Sequence, residues 1–153
     1  MNKETKINPT QNLLEFIDRS PTPFHAVQEM EDYLSGKGFK KLNETDFWDL
    51  IPNNKYFLTR NGSSLVAFEV GSNPGEGFKI IGAHTDSPNL RLKPNAGYTN
   101  SGYLQFGVEV YGGVLLSTWT DRDLSLAGRV ILGGKKKPIS KLIRFTQPLL
   151  RIP

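Results

Sequence analysis

Gly82-Ala83-His84-Thr85-Asp86-Ser87-Pro88 is the stretch on which the reading of this chain turns. It follows an apolar run, Phe78-Lys79-Ile80-Ile81, bounded by Gly77 and Gly82, which predicts a short buried strand over residues 78–83. Side chains alternate along an extended segment, so His84 and Asp86 are expected to project to the same side. An imidazole that binds a metal through one ring nitrogen usually donates its other N–H to a carboxylate or carbonyl, which fixes the tautomer and raises ligand basicity. His-x-Asp at the mouth of a strand therefore suits one metal ligand and its orienting carboxylate. Alone, the triplet fits a hydrogen-bonded structural histidine equally well, and that is the commoner use of a lone histidine.

Upstream, the pattern predicts helices and then a hairpin. Thr10 is expected to cap a helix running to about Arg19, with Leu13, Leu14 and Ile17 on one face. Ser20-Pro21-Thr22-Pro23 breaks it, and a second helix is predicted with Thr22 as N-cap and Pro23 at its first position. Phe24, Val27, Met30 and Leu34 recur at intervals of three and four and form its core stripe, ended by Gly36 and Gly38. His25 lies one place off that stripe and reads as a partly exposed helix residue. Residues 42–50 suggest a short helical turn that packs Phe47 and Trp48. Lys55–Arg60 and Leu65–Val70 read as strands joined at Asn61-Gly62, a strong hairpin signal. Residues 71–77 then form a loop.

Downstream the character changes. Residues 94–102 are polar and turn-rich, which places a domain boundary there. Residues 104–111, 114–119, 125–132 and 141–145 follow as expected strands, so the second part is all-β by pattern while the first mixes α and β. Asp121-Arg122-Asp123 reads as a turn with local ion pairs. Lys135-Lys136-Lys137, between Gly133-Gly134 and Pro138, reads as a solvated hairpin tip, and residues 1–9 as a mobile lead-in.

Composition narrows the function classes. The 153 residues suit one domain or about one and a half small ones, with 37% hydrophobic content. No apolar run approaches the roughly 20 residues of a transmembrane helix. Residues 1–6 lack the apolar core of a secretion signal. The absence of cysteine rules out disulfides and thiolate metal sites and fits a cytoplasmic protein. The net charge of +4 is uneven: residues 1–76 hold 8 basic against 11 acidic side chains, residues 77–153 hold 11 against 4. The basic residues of the second half are scattered apart from the lysine run, and no aromatic-basic platform appears, so neither nucleic acid nor membrane is the expected partner.

The wording around the histidine is far more specific than the triplet. Gly-Ala-His-Thr-Asp-Ser-Pro-Asn-Leu-Arg-Leu-Lys (82–93) closely resembles the signature of the aspartyl aminopeptidase family of zinc metallopeptidases. Ser20-Pro21-Thr22-Pro23-Phe24-His25-Ala26-Val27 resembles that family's N-terminal helix entry. Val108-Glu109-Val110-Tyr111-Gly112-Gly113, continuing through Ser117 to Val130, resembles its central segment, and Pro148 to Pro153 is similar too. The resemblance implies an α/β chain: the start of a mixed α/β metallopeptidase domain over residues 1–93, then the opening strands of a β-rich inserted oligomerisation domain over 94–153. It implies that His84 is a zinc ligand and Asp86 the catalytic aspartate that orients it. It implies a pair of zinc ions in the complete enzyme, peptide substrates with N-terminal Asp or Glu, and a homo-oligomer. The remaining ligands and the general-base glutamate are then expected beyond Pro153, which makes the 153 residues an N-terminal portion, in keeping with the apolar run 149–153. The alternative from a different class is a non-catalytic remnant that serves only as an interaction or assembly module.

Overall fold

The computed structural model describes residues 8–134 and 137–152. In chain order its elements are α1 (Pro9–Arg19), α2 (Pro23–Gly36), β1 (Lys40–Lys41), β2 (Lys55–Arg60), β3 (Ser64–Glu69), β4 (Asn89–Asn100), β5 (Tyr103–Tyr111), β6 (Arg122–Leu124), β7 (Ala127–Leu132), β8 (Ile139–Arg144) and β9 (Leu150–Ile152), with 3-10 turns at Pro74–Glu76 and Leu116–Thr118. This is the mixture of helices and strands expected of an α/β chain. The chain forms two compact units, one of Met1–Thr85 with Ala127–Arg144 and one of Asp86–Leu126 with Phe145–Pro153.

In the first unit both helices begin as their sequences require. Thr22 caps α2, its hydroxyl accepting from the His25 N–H at 3.4 Å, with Pro23 inside the first turn. The cap of α1 is not Thr10 but Asn8, whose side chain accepts from Gln11 N–H at 3.3 Å. Pro9 explains the shift: it takes the first helical position, where its missing N–H costs nothing, and pushes the cap one residue ahead of it. Ala26 and Val27 are the residues that α2 buries.

The predicted hairpin is present. β2 and β3 pair antiparallel from Lys55↔Glu69 to Arg60↔Ser64, and the turn holds Asn61 and Gly62 at φ 55 and 66. Both lie in the left-handed region that asparagine and glycine tolerate best. Lys40–Lys41 adds a short parallel strand beside β2, so β2 is central in a three-stranded sheet. Consecutive strand residues face opposite ways, yet Tyr56 and Phe57 are both buried, which shows that both faces of β2 are covered. On the Tyr56 side its ring lies 5.7 Å from Phe68, which in turn lies 6.4 Å from Trp48. Residues 42–50 form no helix. Asn43–Asp46 is a single turn, Trp48 Nε1 donates to the Asn43 carbonyl at 2.7 Å, and Phe47 is fully exposed.

β7 and β8 form an antiparallel hairpin, Ala127↔Arg144 to Leu132↔Ile139. The expected lysine-rich tip falls partly outside the described residues, at Lys135 and Lys136. Arg129 ties this hairpin down: its guanidinium lies 4.0 Å over the Phe24 ring of α2, and Nη1 donates to the Asn61 carbonyl at 2.6 Å.

The second unit is all-β. β4 and β5 pair over Asn89↔Tyr111 to Asn100↔Tyr103, closed by Ser101 and Gly102 at φ 51 and 81. The segment 94–102, polar and turn-rich in sequence, is therefore largely strand. Its turn-favouring residues are absorbed by a bulge between Leu92 and Gly97, where Asn95 takes φ 55, and the ladder resumes beyond it. Residues 114–119 are not a strand either, since they contain the 3-10 turn Leu116–Thr118. β6 pairs with β9, Arg122↔Ile152 to Leu124↔Leu150. Asp121 and Asp123 pair with Arg151 across that ladder rather than with Arg122.

The largest departure from expectation is the apolar run before the histidine. Residues 77–88 carry no strand ladder, and Phe78, Ile80 and Ile81 are 80%, 87% and 99% exposed. Its hydrophobicity is that of a strand covered on both faces, but no described strand lies beside it to accept its hydrogen bonds. An unpaired apolar segment of this kind is adhesive. Residues 1–153 produced alone are expected to self-associate, with the double variant Ile80→Lys/Ile81→Lys shifting the population towards monomer in concentration-dependent size-exclusion chromatography. An elution profile identical for both chains would locate the adhesion elsewhere.

Candidate functional site

His84 is exposed, in the segment without strand structure that ends the first unit. Its neighbour Thr85 anchors that segment, the hydroxyl donating to the Ser63 carbonyl in the β2–β3 turn at 2.8 Å. Asp86, half-buried, opens the second unit.

Around Asp86 the second unit builds a defined polar arrangement. Tyr111, the last residue of β5, donates its phenol O–H to Asp86 Oδ2 at 2.6 Å. That contact, reinforced by the carboxylate's negative charge, raises the phenol pKa above its ordinary value, while Arg91 opposes the shift. The Arg91 guanidinium lies 4.6 Å over the Tyr111 ring. Between Asp86 and β4 the backbone is steadied by Asn89, whose side-chain amide donates to the Ser87 carbonyl at 2.9 Å. Gly112, at φ 68, passes close to Pro88. The sequence does not mark Tyr111 as a site residue. Its signal is weak there, a tyrosine at a strand end beside two glycines, and only the β4–β5 register brings it opposite Asn89.

The other polar candidates have structural partners. His25 Nδ1 lies 2.7 Å from the Thr22 hydroxyl, and burial followed by the charge of Arg144 lowers its pKa. It is the partly exposed helix residue expected. A groove of about 420 Å³ in the first unit is lined by Phe24, Val27, Gly62, Arg129 and Leu142 among others, and neither His84 nor Asp86 lines it.

A zinc ion held by protein takes three or four ligands, with imidazole and carboxylate suitable among them. No group of three His, Cys, Asp or Glu able to hold a metal occurs among the described residues. His84 is the right kind of donor, but the described residues alone do not make up a zinc site.

Comparison with known proteins places the chain. Residues 16–153 match the family described as Aminopeptidase I zinc metalloprotease (M18), and the chain belongs to that family. It is 49% identical over 153 residues to an aspartyl aminopeptidase of Dictyostelium discoideum, covering 98% of this chain and 32% of that protein. Among solved structures it resembles the mApe1 of Chaetomium thermophilum with TM-score 0.88 and 44% identity, over 94% of this chain and 34% of that one. It also resembles the S. cerevisiae mApe1 dodecamer with TM-score 0.85 and 36% identity, over 94% and 35% respectively. The chain thus spans about a third of the length of the relatives it matches. No described helix is long and apolar enough to cross a membrane.

Proposed function

We propose that the whole protein to which these residues belong is a zinc-dependent aminopeptidase that removes N-terminal Asp or Glu from peptides. The observation that carries the reading is the wording of residues 82–93 inside a chain that matches the M18 family from residue 16 to 153. The name of the Dictyostelium relative, an aspartyl aminopeptidase, supports the acidic preference. In this reading His84 is one zinc ligand and Asp86 the carboxylate that fixes its tautomer and orientation, the usual arrangement around a metal-bound imidazole. Residues 1–93 belong to the peptidase domain and residues 94–153 open a β-rich domain used in assembly. The dodecamer seen for the S. cerevisiae relative supports a homo-oligomer, and the family's description as zinc metalloproteases supports zinc, a pair of ions per subunit in this reading. The cytoplasm is the compartment that a cysteine-free peptidase suits best.

The test is turnover of aminoacyl p-nitroanilides by the whole protein as isolated from its source, before and after chelation and after zinc is restored. Asp and Glu substrates are expected to be cleaved at least about tenfold faster than Leu or Ala, in line with what a site built to pair a charged or polar group discriminates. Chelation should abolish turnover, and zinc should restore it. Equal rates on all substrates would remove the acidic preference. No hydrolysis at any zinc concentration would instead favour a non-catalytic assembly module.

A further inference from the structure

We propose that Tyr111 is a positioning residue for Asp86, its phenol holding that carboxylate in the orientation the peptidase reaction uses. The inference rests on the reading of Asp86 given above and adds to it a residue on a different element. Asp86 precedes β4 by three residues, in backbone that has no ladder of its own. A short side chain on such a segment samples several rotamers unless something fixed holds it.

Tyr111 is fixed. It forms the terminal pair of the β4–β5 ladder, opposite Asn89, while Arg91 stands opposite Glu109. Arg91 is therefore the diagonal neighbour of Tyr111 on the same face, within the reach of long side chains. Its guanidinium, 4.6 Å from the ring centroid, steadies the ring plane through a cation–π contact. The phenol O–H then reaches back to Asp86 Oδ2 at 2.6 Å, the short range of a bond to an ionised acceptor. The carboxylate is thus held by a donor whose own position is set by two paired strands.

A mere staple between residues 86–88 and the sheet would be a different role. Losing it would lower thermal stability without slowing the molecules that stay folded. The discriminating change is Tyr111→Phe in the whole protein. It keeps the ring and the Arg91 contact and removes only the donor. Tyr111 is half-buried and phenylalanine fits within its volume, so the fold is expected to survive.

The expected result is a roughly tenfold fall in kcat, the lower end of what losing such an outer partner costs, with KM within about twofold and bound zinc at the wild-type level. Asp86→Asn should lose activity more severely, and adding Tyr111→Phe to it should cost nothing further, because residues acting through one another are not additive. Turnover of Tyr111→Phe within about twofold of wild type, beside an inactive Asp86→Asn, overturns the positioning role alone. The same proportional loss on both backgrounds does so too. Wild-type turnover in Asp86→Asn removes the reading of Asp86 itself, and the inference falls with it.

Discussion

Replacing His84 with alanine in the whole protein is expected to remove bound zinc and aminopeptidase activity together. An imidazole ligand contributes a direct metal–nitrogen bond, and alanine offers no donor in its place. The loss of activity should exceed about a hundredfold, because deleting an outer partner of a ligand already costs ten to a hundredfold. Metal content by atomic emission and turnover on an acidic aminoacyl substrate should fall in parallel. Thermal stability should fall as well, since an ion bound only by the folded state stabilises that state by mass action. His25→Ala is the matching control. Its ring pairs with the Thr22 hydroxyl at the start of α2, so only the surroundings of that helix end should change, with zinc unaltered. Wild-type zinc stoichiometry in His84→Ala would remove His84 from the metal site, whatever the activity did.

The parts of the fold that sequence reveals are those that local chemistry decides. Thr22-Pro23 specifies the start of α2, and Asn61-Gly62 specifies the β2–β3 turn, because only a few residue types satisfy a helix N-terminus or two successive positive φ angles. The parts that sequence misplaces depend on a partner. Asn95 and Gly97 look like loop residues until β5 is found alongside to carry the ladder past a bulge. Residues 78–83 have the composition of a covered strand, but hydrophobicity states a need for cover without supplying it, and no described strand does so.

The candidate site divides in the same way. The proposed pair His84 and Asp86 stands out in the sequence because its spacing and neighbours are local. Tyr111 lies 25 residues further on and becomes visible only through the register that pairs it with Asn89. Any further ligands of the proposed zinc site are not legible, because a zinc site is assembled from distant segments and no group of three possible ligands occurs among the described residues.

The second large effect concerns folding rather than chemistry. Phe57→Ala is expected to destabilise the first unit by about 3–5 kcal/mol, the usual cost of truncating a buried phenylalanine. Phe57 is 1% exposed, and only Ala26, Val27 and Tyr56 join it as buried hydrophobics among the described residues. It also sits on the central strand of the sheet, between β1 and β3, so its side chain lies where the sheet has least freedom to close over a gap. A loss of this size consumes much of the 5–15 kcal/mol by which ordinary domains are stable. In residues 1–153 at high dilution, the urea midpoint of Phe57→Ala should fall so far that most of the chain is unfolded at 37 °C. Phe47→Ala provides the contrast: that ring is fully exposed and should change stability by no more than about 0.5 kcal/mol. Equal midpoints for the two variants would mean that the β2 position does not centre the core. A steep loss for Phe57 alone would show that the stability of the unit carrying His84 depends on one aromatic side chain of a strand far from it in sequence.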